Sequence, residues 1–199
     1  MHVRFFHALY SLSEAVSLSI EGGTRSKPLV FGELSEYLLS GSGFLQVTVT
    51  GSRTRKVYLQ KTMPFFAPGA FTLAVIPGTM GMDILQTPDY DCFSSLPDFG
   101  CIRTVNLTDD PFSYYLYLYG KRLLFADVNF RHITCHKQMK EGMQGVYLTL
   151  PGRETPLIPS VFPIHAGQAT TCYVYGSLSG DTLSLLSIED TPRTFQLPG

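Results

Sequence analysis

Hydrophobic and polar residues alternate along several short stretches of this chain. Residues 16–21 read Val-Ser-Leu-Ser-Ile-Glu, and residues 45–50 read Leu-Gln-Val-Thr-Val-Thr. A period of two predicts β-strands that turn one side toward a core and the other toward water. Turn sequences such as Gly22-Gly23 and Gly51-Ser52 follow these stretches. Short strands punctuated in this way are typical of an all-β sandwich or barrel.

The two halves of the chain repeat the same pattern at an offset of about 98–99 residues. The matched segments are 16–22 with 114–120, 31–50 with 130–149, and 72–78 with 170–176. Matched turn glycines and matched alternation indicate two copies of one fold. We therefore predict two tandem immunoglobulin-like β-sandwich domains related by an internal repeat. Their expected bounds are 1–87 and 101–199, with a linker over 88–100.

Several segments carry a family resemblance. They are Val-Arg-Phe-Phe-His-Ala at 3–8, Leu-Val-Phe-Gly-Glu-Leu-Ser-Glu-Tyr-Leu at 29–38, Gly-Phe-Leu-Gln-Val-Thr-Val at 43–49, and Ala-Pro-Gly-Ala-Phe-Thr-Leu-Ala-Val-Ile at 67–76. Together they resemble the bacterial domain-of-unknown-function family 4397, and residues 102–188 resemble it more loosely. The resemblance implies immunoglobulin-like sandwiches, often in tandem on bacterial envelope proteins. It implies no activity, so no catalytic residue can be transferred from it.

Composition and charge limit the classes of function that this chain can have. The 199 residues are 44% hydrophobic and 16% charged, which is enough apolar material for packed cores. Fifteen Lys and Arg residues oppose sixteen Asp and Glu residues, and this balance argues against a nucleic-acid partner. No apolar run is long enough to span a membrane. Because no secretory leader is visible, we expect a cytoplasmic protein, with the cell envelope or surface as the alternative if a leader has been removed.

The four cysteines, Cys92, Cys101, Cys135 and Cys172, show no zinc-type spacing. Cys92 and Cys101 bracket one short segment and could form a disulfide. Free thiols are the expectation for a reducing compartment.

His132, Cys135 and His136 form the one cluster with metal-ligand chemistry. On a helix the two histidines would share a face and could hold zinc, which would make a metal-dependent enzyme. On a strand they would lie about 13 Å apart, too far for one ion. The matching segment 33–37 carries no ligand set, and the chain lacks a nucleophile turn, a phosphate loop and a dinucleotide fingerprint. We therefore predict a non-enzymatic protein with no cofactor and no metal.

A tyrosine ladder distinguishes the second copy from the first. Leu116 and Leu118 match inward positions, so three tyrosines should face outward where the first copy carries Ser, Ser and Glu: Tyr115, Tyr117 and Tyr119. Such a row can be covered by the other copy or by another molecule of the chain, or it can bind an external ligand. The sequence predicts a binding or structural module of unidentified ligand. The first alternative is a carbohydrate-binding module on the tyrosines, and the second is a metal-dependent enzyme at His132, Cys135 and His136. A protein partner and a homo-oligomer also stay open.

Overall fold

The alternating sequence forms strands and no helix in the residues described by a computed structural model, which are 1–23, 25–66, 69–92, 96–153 and 155–190. Ala67 and Pro68 of the motif at 67–76 lie outside these residues. The chain divides into two units, Met1–Asp89 and Tyr90–Gly199. The described part of the chain contains no helix long and apolar enough to cross a membrane.

The first unit contains seven described strands in two sheets. The strands are β1 (His2–His7), β2 (Val16–Ile20), β3 (Leu38–Leu39), β4 (Gly43–Gly51), β5 (Val57–Phe65), β6 (Ala70–Gly78) and β7 (Gly81–Asp89). One sheet has the order β3-β1-β6-β7 and the other has the order β2-β4-β5. β1 runs parallel to β6, and the remaining neighbours are antiparallel.

The second unit has the same arrangement with one added edge strand. Its strands are β8 (Phe99–Asn106), β9 (Tyr114–Leu118), β10 (Arg122–Val128), β11 (Lys137–Lys140), β12 (Gly142–Thr149), β13 (Ile158–Ile164), β14 (Ala169–Tyr175) and β15 (Ser184–Glu189). The sheets have the orders β11-β8-β14-β15 and β10-β9-β12-β13. β8 again runs parallel to β14. The added strand, β10, pairs with β9.

Each unit buries one hydrophobic core between its two sheets. In the first unit Phe5 and Leu73 of one sheet share a core with Leu18 and Val49 of the other. The second unit has an equivalent core between its own sheets. The prediction of an all-β chain built from β-sandwiches is confirmed. The immunoglobulin-like assignment stays a prediction, and the parallel pair β1–β6 distinguishes this sandwich from one made of two fully antiparallel sheets.

Strand pairing agrees with most of the repeat and corrects one part of it. Sequence matching places Thr72 on Thr170, but Thr72 lies opposite Arg4 whereas Thr171 lies opposite Arg103. The match between β6 and β14 is therefore wrong by one residue. Pairing with the first strand of each unit sets the register of β6 and of β14. Small apolar residues in both strands let the two sequences be aligned in either of two ways, so the sequence alone does not choose the correct one.

A buried polar cluster joins three strands of the first unit. The Nε of Arg4 donates to Oγ1 of Thr72 at 2.8 Å, and Thr72 donates to Oδ1 of Asp89 at 3.0 Å. The Arg4 guanidinium lies 4.7 Å from the centre of the Tyr37 ring, whose hydroxyl donates to Asp89 at 2.7 Å. The Nη2 of Arg4 also lies 3.5 Å from Oδ1 of Asp89, and Arg4 is 5% exposed, so this ion pair lies almost wholly out of water.

The second unit repeats this cluster at the equivalent positions. The Nε of Arg103 donates to Thr171 at 2.8 Å, its Nη2 lies 2.8 Å from Oδ2 of Asp190, and Thr171 also donates to Asp190. The Arg103 guanidinium lies 5.6 Å from the centre of the Tyr90 ring. His136, which matches Tyr37 in the repeat, brings its Nε2 to 3.7 Å from Asp190. The same three residue types therefore brace the same three strands in both units.

The segment before β8 is tied to that strand by a disulfide. Cys92 and Cys101 are bonded, with their Cα atoms 5.4 Å apart, and both pack against Ala169. The expectation of free thiols was wrong at this pair, because Cys92 lies close enough to Cys101 for the two sulfur atoms to bond. Cys135 and Cys172 are free. Within the expected linker 88–100, the first two residues belong to β7 and the last two to β8.

Replacing Asp190 with Ala should lower the free energy of unfolding of the second unit by about 3–5 kcal/mol, because it leaves the Arg103 cation buried without its partner. Urea denaturation measures the change. The double replacement Arg103→Met with Asp190→Leu should recover much of it, and the exposed-site control Glu141→Ala should stay within about 0.5 kcal/mol. A loss below about 1 kcal/mol for Asp190→Ala would contradict this role.

Candidate binding surface of the second unit

The tyrosines of β9 face away from the core of their own unit. Leu116 is fully buried and Leu118 packs against the core from its margin. Tyr115 and Tyr117 are half-buried, and Tyr119 is 54% exposed. The predicted direction of the ladder is confirmed. Whether these residues bind a ligand stays a prediction.

A fourth tyrosine belongs to the same surface. Tyr147 of β12 lies directly opposite Tyr117, with the ring centres 5.5 Å apart and the ring planes within 10° of parallel. Tyr119 lies 6.0 Å from Tyr147, and Tyr115 lies 6.5 Å from Tyr117. We call Tyr115, Tyr117, Tyr119 and Tyr147 the tyrosine surface. Sequence reasoning missed Tyr147, although the repeat places it on Thr48 and so shows the same polar-to-tyrosine exchange.

Gly145 lets Tyr119 lie across the neighbouring strand. The Tyr119 N–H donates to the Gly145 carbonyl at 2.8 Å, and a Cβ at Gly145 would overlap the Tyr119 ring. One face of that ring therefore rests on the β12 backbone, as when an aromatic side chain covers a glycine of an adjacent strand. The side of Tyr119 away from the strand is open to water.

Desolvation, together with hydrogen bonds to carboxylates, raises the pKa of two phenols of β9. The Tyr115 hydroxyl donates to Oδ1 of Asp127 at 3.2 Å, and desolvation together with this carboxylate raises the pKa of Tyr115 above its usual value. On the inner side, Tyr114 donates to Oδ2 of Asp110 at 2.5 Å. Burial is the main cause of the raised pKa of Tyr114. A neutral phenol remains a hydrogen-bond donor and a poor general base.

Apolar side chains extend the tyrosine surface across all four strands of its sheet. Leu123 of β10 lies opposite Tyr117 and is 43% exposed. Val161 of β13 lies opposite Gly145 and is 55% exposed. The surface is therefore larger than a single strand, and contiguous apolar areas of this kind often mark interaction sites.

A cavity of about 230 Å³ opens between the tyrosines and two basic side chains. Its described lining is Tyr117, Lys121, Tyr147, Thr149 and Arg153. Lys121 follows the end of β9 and Arg153 follows the end of β12, so the antiparallel strands bring the two cations in from opposite ends. Thr149 is 1% exposed, and its Oγ1 has no hydrogen-bond partner among the described residues.

The corresponding surface of the first unit is polar. Ser17 and Ser19 of β2 lie opposite Thr50 and Thr48 of β4. These positions match Tyr115, Tyr117, Thr149 and Tyr147 of the second unit. The positions of the tyrosine surface are thus polar in the first unit, which provides a matched control for each of them.

His132, Cys135 and His136, the residues of the alternative metal site, have separate surroundings. The segment that carries them is neither helix nor strand, apart from one bridge at Ile133. The Nδ1 of His132 lies 3.4 Å from the carbonyl oxygen of Asp127, Cys135 is exposed, and the His136 ring meets the edge of Tyr90. Among the residues that the structure describes, no three His, Cys, Asp or Glu side chains are grouped closely enough to hold a metal ion.

Replacing Gly145 with Ala should displace the Tyr119 ring and leave the fold intact, because the ring is exposed and can rotate away from the new methyl group. The chain contains no tryptophan, so near-ultraviolet circular dichroism is dominated by tyrosine and should lose part of its intensity. The control is Gln46→Ala at the matching position of the first unit, which should leave the spectrum unchanged. An unchanged spectrum for Gly145→Ala would contradict the packing of Tyr119 on β12.

No family model matches the sequence, and no curated protein matches it. The resemblance to family 4397 therefore stays a prediction. Among solved structures, the crystal structure of CBMbc (family CBM26) from Eubacterium rectale Amy13K in complex with maltoheptaose aligns with 98% of this chain and 99% of that chain. The two are 9% identical in sequence, with a TM-score of 0.29. A TM-score this low does not establish a common topology and carries no argument about a ligand.

Proposed function

We propose that this chain is a non-enzymatic binding protein and that the tyrosine surface of its second unit binds a carbohydrate chain. One observation supports this above the others. Four tyrosines occupy one outer sheet face at positions where the matching face of the first unit carries Ser, Ser, Glu and Thr. Packing within a sandwich does not require such an exchange, because the first unit folds with polar residues there.

Tyrosine suits a sugar for two physical reasons. Its ring offers an apolar face to the C–H groups of a pyranose, and its hydroxyl bonds the sugar hydroxyls. The open side of the Tyr119 ring supplies such a face. The Tyr115 hydroxyl donates its proton to Asp127, so its oxygen can accept a hydrogen bond from a sugar hydroxyl.

The chemistry of the cavity supports binding over catalysis. Its described lining offers phenols, one hydroxyl and two cations, and these groups orient a ligand. General-base catalysis needs a group that takes a proton near neutral pH, and the described lining of the cavity contains no histidine or carboxylate to do so.

The disulfide supports a location outside the reducing cytoplasm, because such bonds persist mainly in oxidising compartments. We therefore favour the cell envelope or surface over the cytoplasm. That location also fits a carbohydrate ligand.

A second candidate is self-association through the same surface. The exposed side chains of Leu123 and Val161 beside the tyrosines favour it, since protein interfaces are rich in aromatic and aliphatic residues at their centre. The experiment below separates the two candidates.

The purified chain, screened on a glycan array, should bind a defined subset of glycans. For the best of these, Tyr117→Ser should weaken the affinity at least about tenfold, because truncating a central aromatic residue typically costs more than 1.4 kcal/mol. The thermal midpoint should change little, since Ser is the residue type at the matching position, Ser19. Isothermal titration calorimetry and thermal melts measure the two quantities.

Ser19→Ala in the first unit is the control and should leave the affinity unchanged. Absence of any bound glycan on the array would contradict the proposal. If, in addition, size-exclusion chromatography shows that the wild-type chain is a dimer and that Tyr117→Ser makes it monomeric, self-association replaces carbohydrate binding as the function of the surface.

A further inference from the structure

The cavity beside the tyrosine surface contains a buried hydroxyl with no protein partner. Thr149 is 1% exposed, and its Oγ1 makes no hydrogen bond to any described residue. Leaving a buried polar group without a partner is unfavourable, so such a group in a native structure needs an explanation. A ligand oxygen in the cavity would supply the missing partner.

Lys121 reaches the same cavity from a backbone conformation that does not favour lysine. Tyr119, Gly120 and Lys121 form the turn between β9 and β10, because Leu118 pairs with Arg122. Gly120 and Lys121 have φ angles of 89° and 66°, in the left-handed region that favours glycine. The first unit carries Gly23 at the position that matches Lys121. A side chain that persists where glycine would be less strained suggests a role for that side chain.

Arg153 completes a set of groups that fits an anion. The described lining combines its guanidinium with the Lys121 ammonium and the Thr149 hydroxyl, and the two tyrosine rings form the walls. Guanidinium and ammonium groups bind carboxylates and sulfates through charge-assisted hydrogen bonds.

We infer that this cavity receives an acidic substituent of the bound glycan, a carboxylate or a sulfate, held by Arg153, Lys121 and Thr149. The inference rests on the proposed function and deepens it, because it names the ligand class as an acidic polysaccharide. The tyrosine surface supplies contact with the sugar rings, and the cavity selects for charge.

The test compares matched pairs of sugars on the whole chain. One pair is an oligogalacturonide and its methyl ester, and the other is a carrageenan oligosaccharide and its desulfated form. At least one acidic member should bind about tenfold or more tighter than its neutral partner, since a net charge-assisted hydrogen bond is of that order. The pair that shows the difference distinguishes carboxylate from sulfate.

Three variants then examine the cavity. Lys121→Gly restores the first-unit residue and relieves the turn, so it should not lower the thermal midpoint. Arg153→Gln removes the guanidinium, and Thr149→Val removes a hydroxyl that the fold does not use. Each should weaken the acidic ligand severalfold to tenfold and leave the neutral one unchanged. Thr50→Val, at the position of the first unit that matches Thr149, is the control.

The outcomes separate this inference from the proposed function. Equal binding of acidic and neutral members, with Tyr117→Ser weakening both, overturns the acidic specificity and keeps carbohydrate binding. A preference for the acidic sugar that persists in Lys121→Gly, Arg153→Gln and Thr149→Val also overturns the inference, because the acidic group is then bound by residues outside the cavity. Binding of none of these sugars, while another glycan binds on the array, overturns the acidic specificity and keeps carbohydrate binding. Absence of binding both to these sugars and on the array contradicts both proposals.

Discussion

The register between β9 and β12 decides what the second unit presents to its surroundings. Leu116 lies opposite Leu148, and both are fully buried. A shift of one residue would expose this pair and turn Tyr117 inward, because neighbouring residues of a strand point to opposite sides. Burying one leucine side chain stabilises a fold by about 1.5–3 kcal/mol, so the alternative register is strongly disfavoured. The outward direction of the tyrosines is a consequence of the core.

The two units share their cores and their polar clusters, and this explains why they can differ on the outer face of the sheet that contains β9. In each unit an arginine, a threonine and an aspartate brace the other sheet, on the side of its first strand that is turned away from the core. The two hydrophobic cores draw on equivalent strands. Neither of these features involves the outer face of the sheet that contains β9. Serine in one copy and tyrosine in the other are therefore both compatible with the fold, and the difference can serve binding.

Sequence reasoning could predict what depends on alternation, and it failed where contacts cross between strands. The period of two predicted the strands, the inward direction of the leucines and the outward direction of Tyr117. Tyr147 was missed because its importance comes from lying opposite Tyr117, which requires the pairing of β9 with β12. The cavity was missed because Lys121 and Arg153 are far apart in sequence and meet only in the folded sheet. Thr149 was missed because nothing in the sequence distinguishes it from other strand threonines, and its unpaired hydroxyl is visible only in the structure. The disulfide depends on the approach of Cys92 to Cys101 in space, and the period of the strands does not predict that approach.

The most direct test is nuclear magnetic resonance of the chain with labelled tyrosine rings, titrated with the glycan that the array selects. The eleven tyrosines are spread over both units, so the ring signals map a binding surface without further labels. The account predicts shifts for Tyr117, Tyr119 and Tyr147, with the first-unit signals of Tyr37 and Tyr58 unchanged. Shifts confined to the first unit, or a titration that moves no signal of the tyrosine surface, would contradict the account.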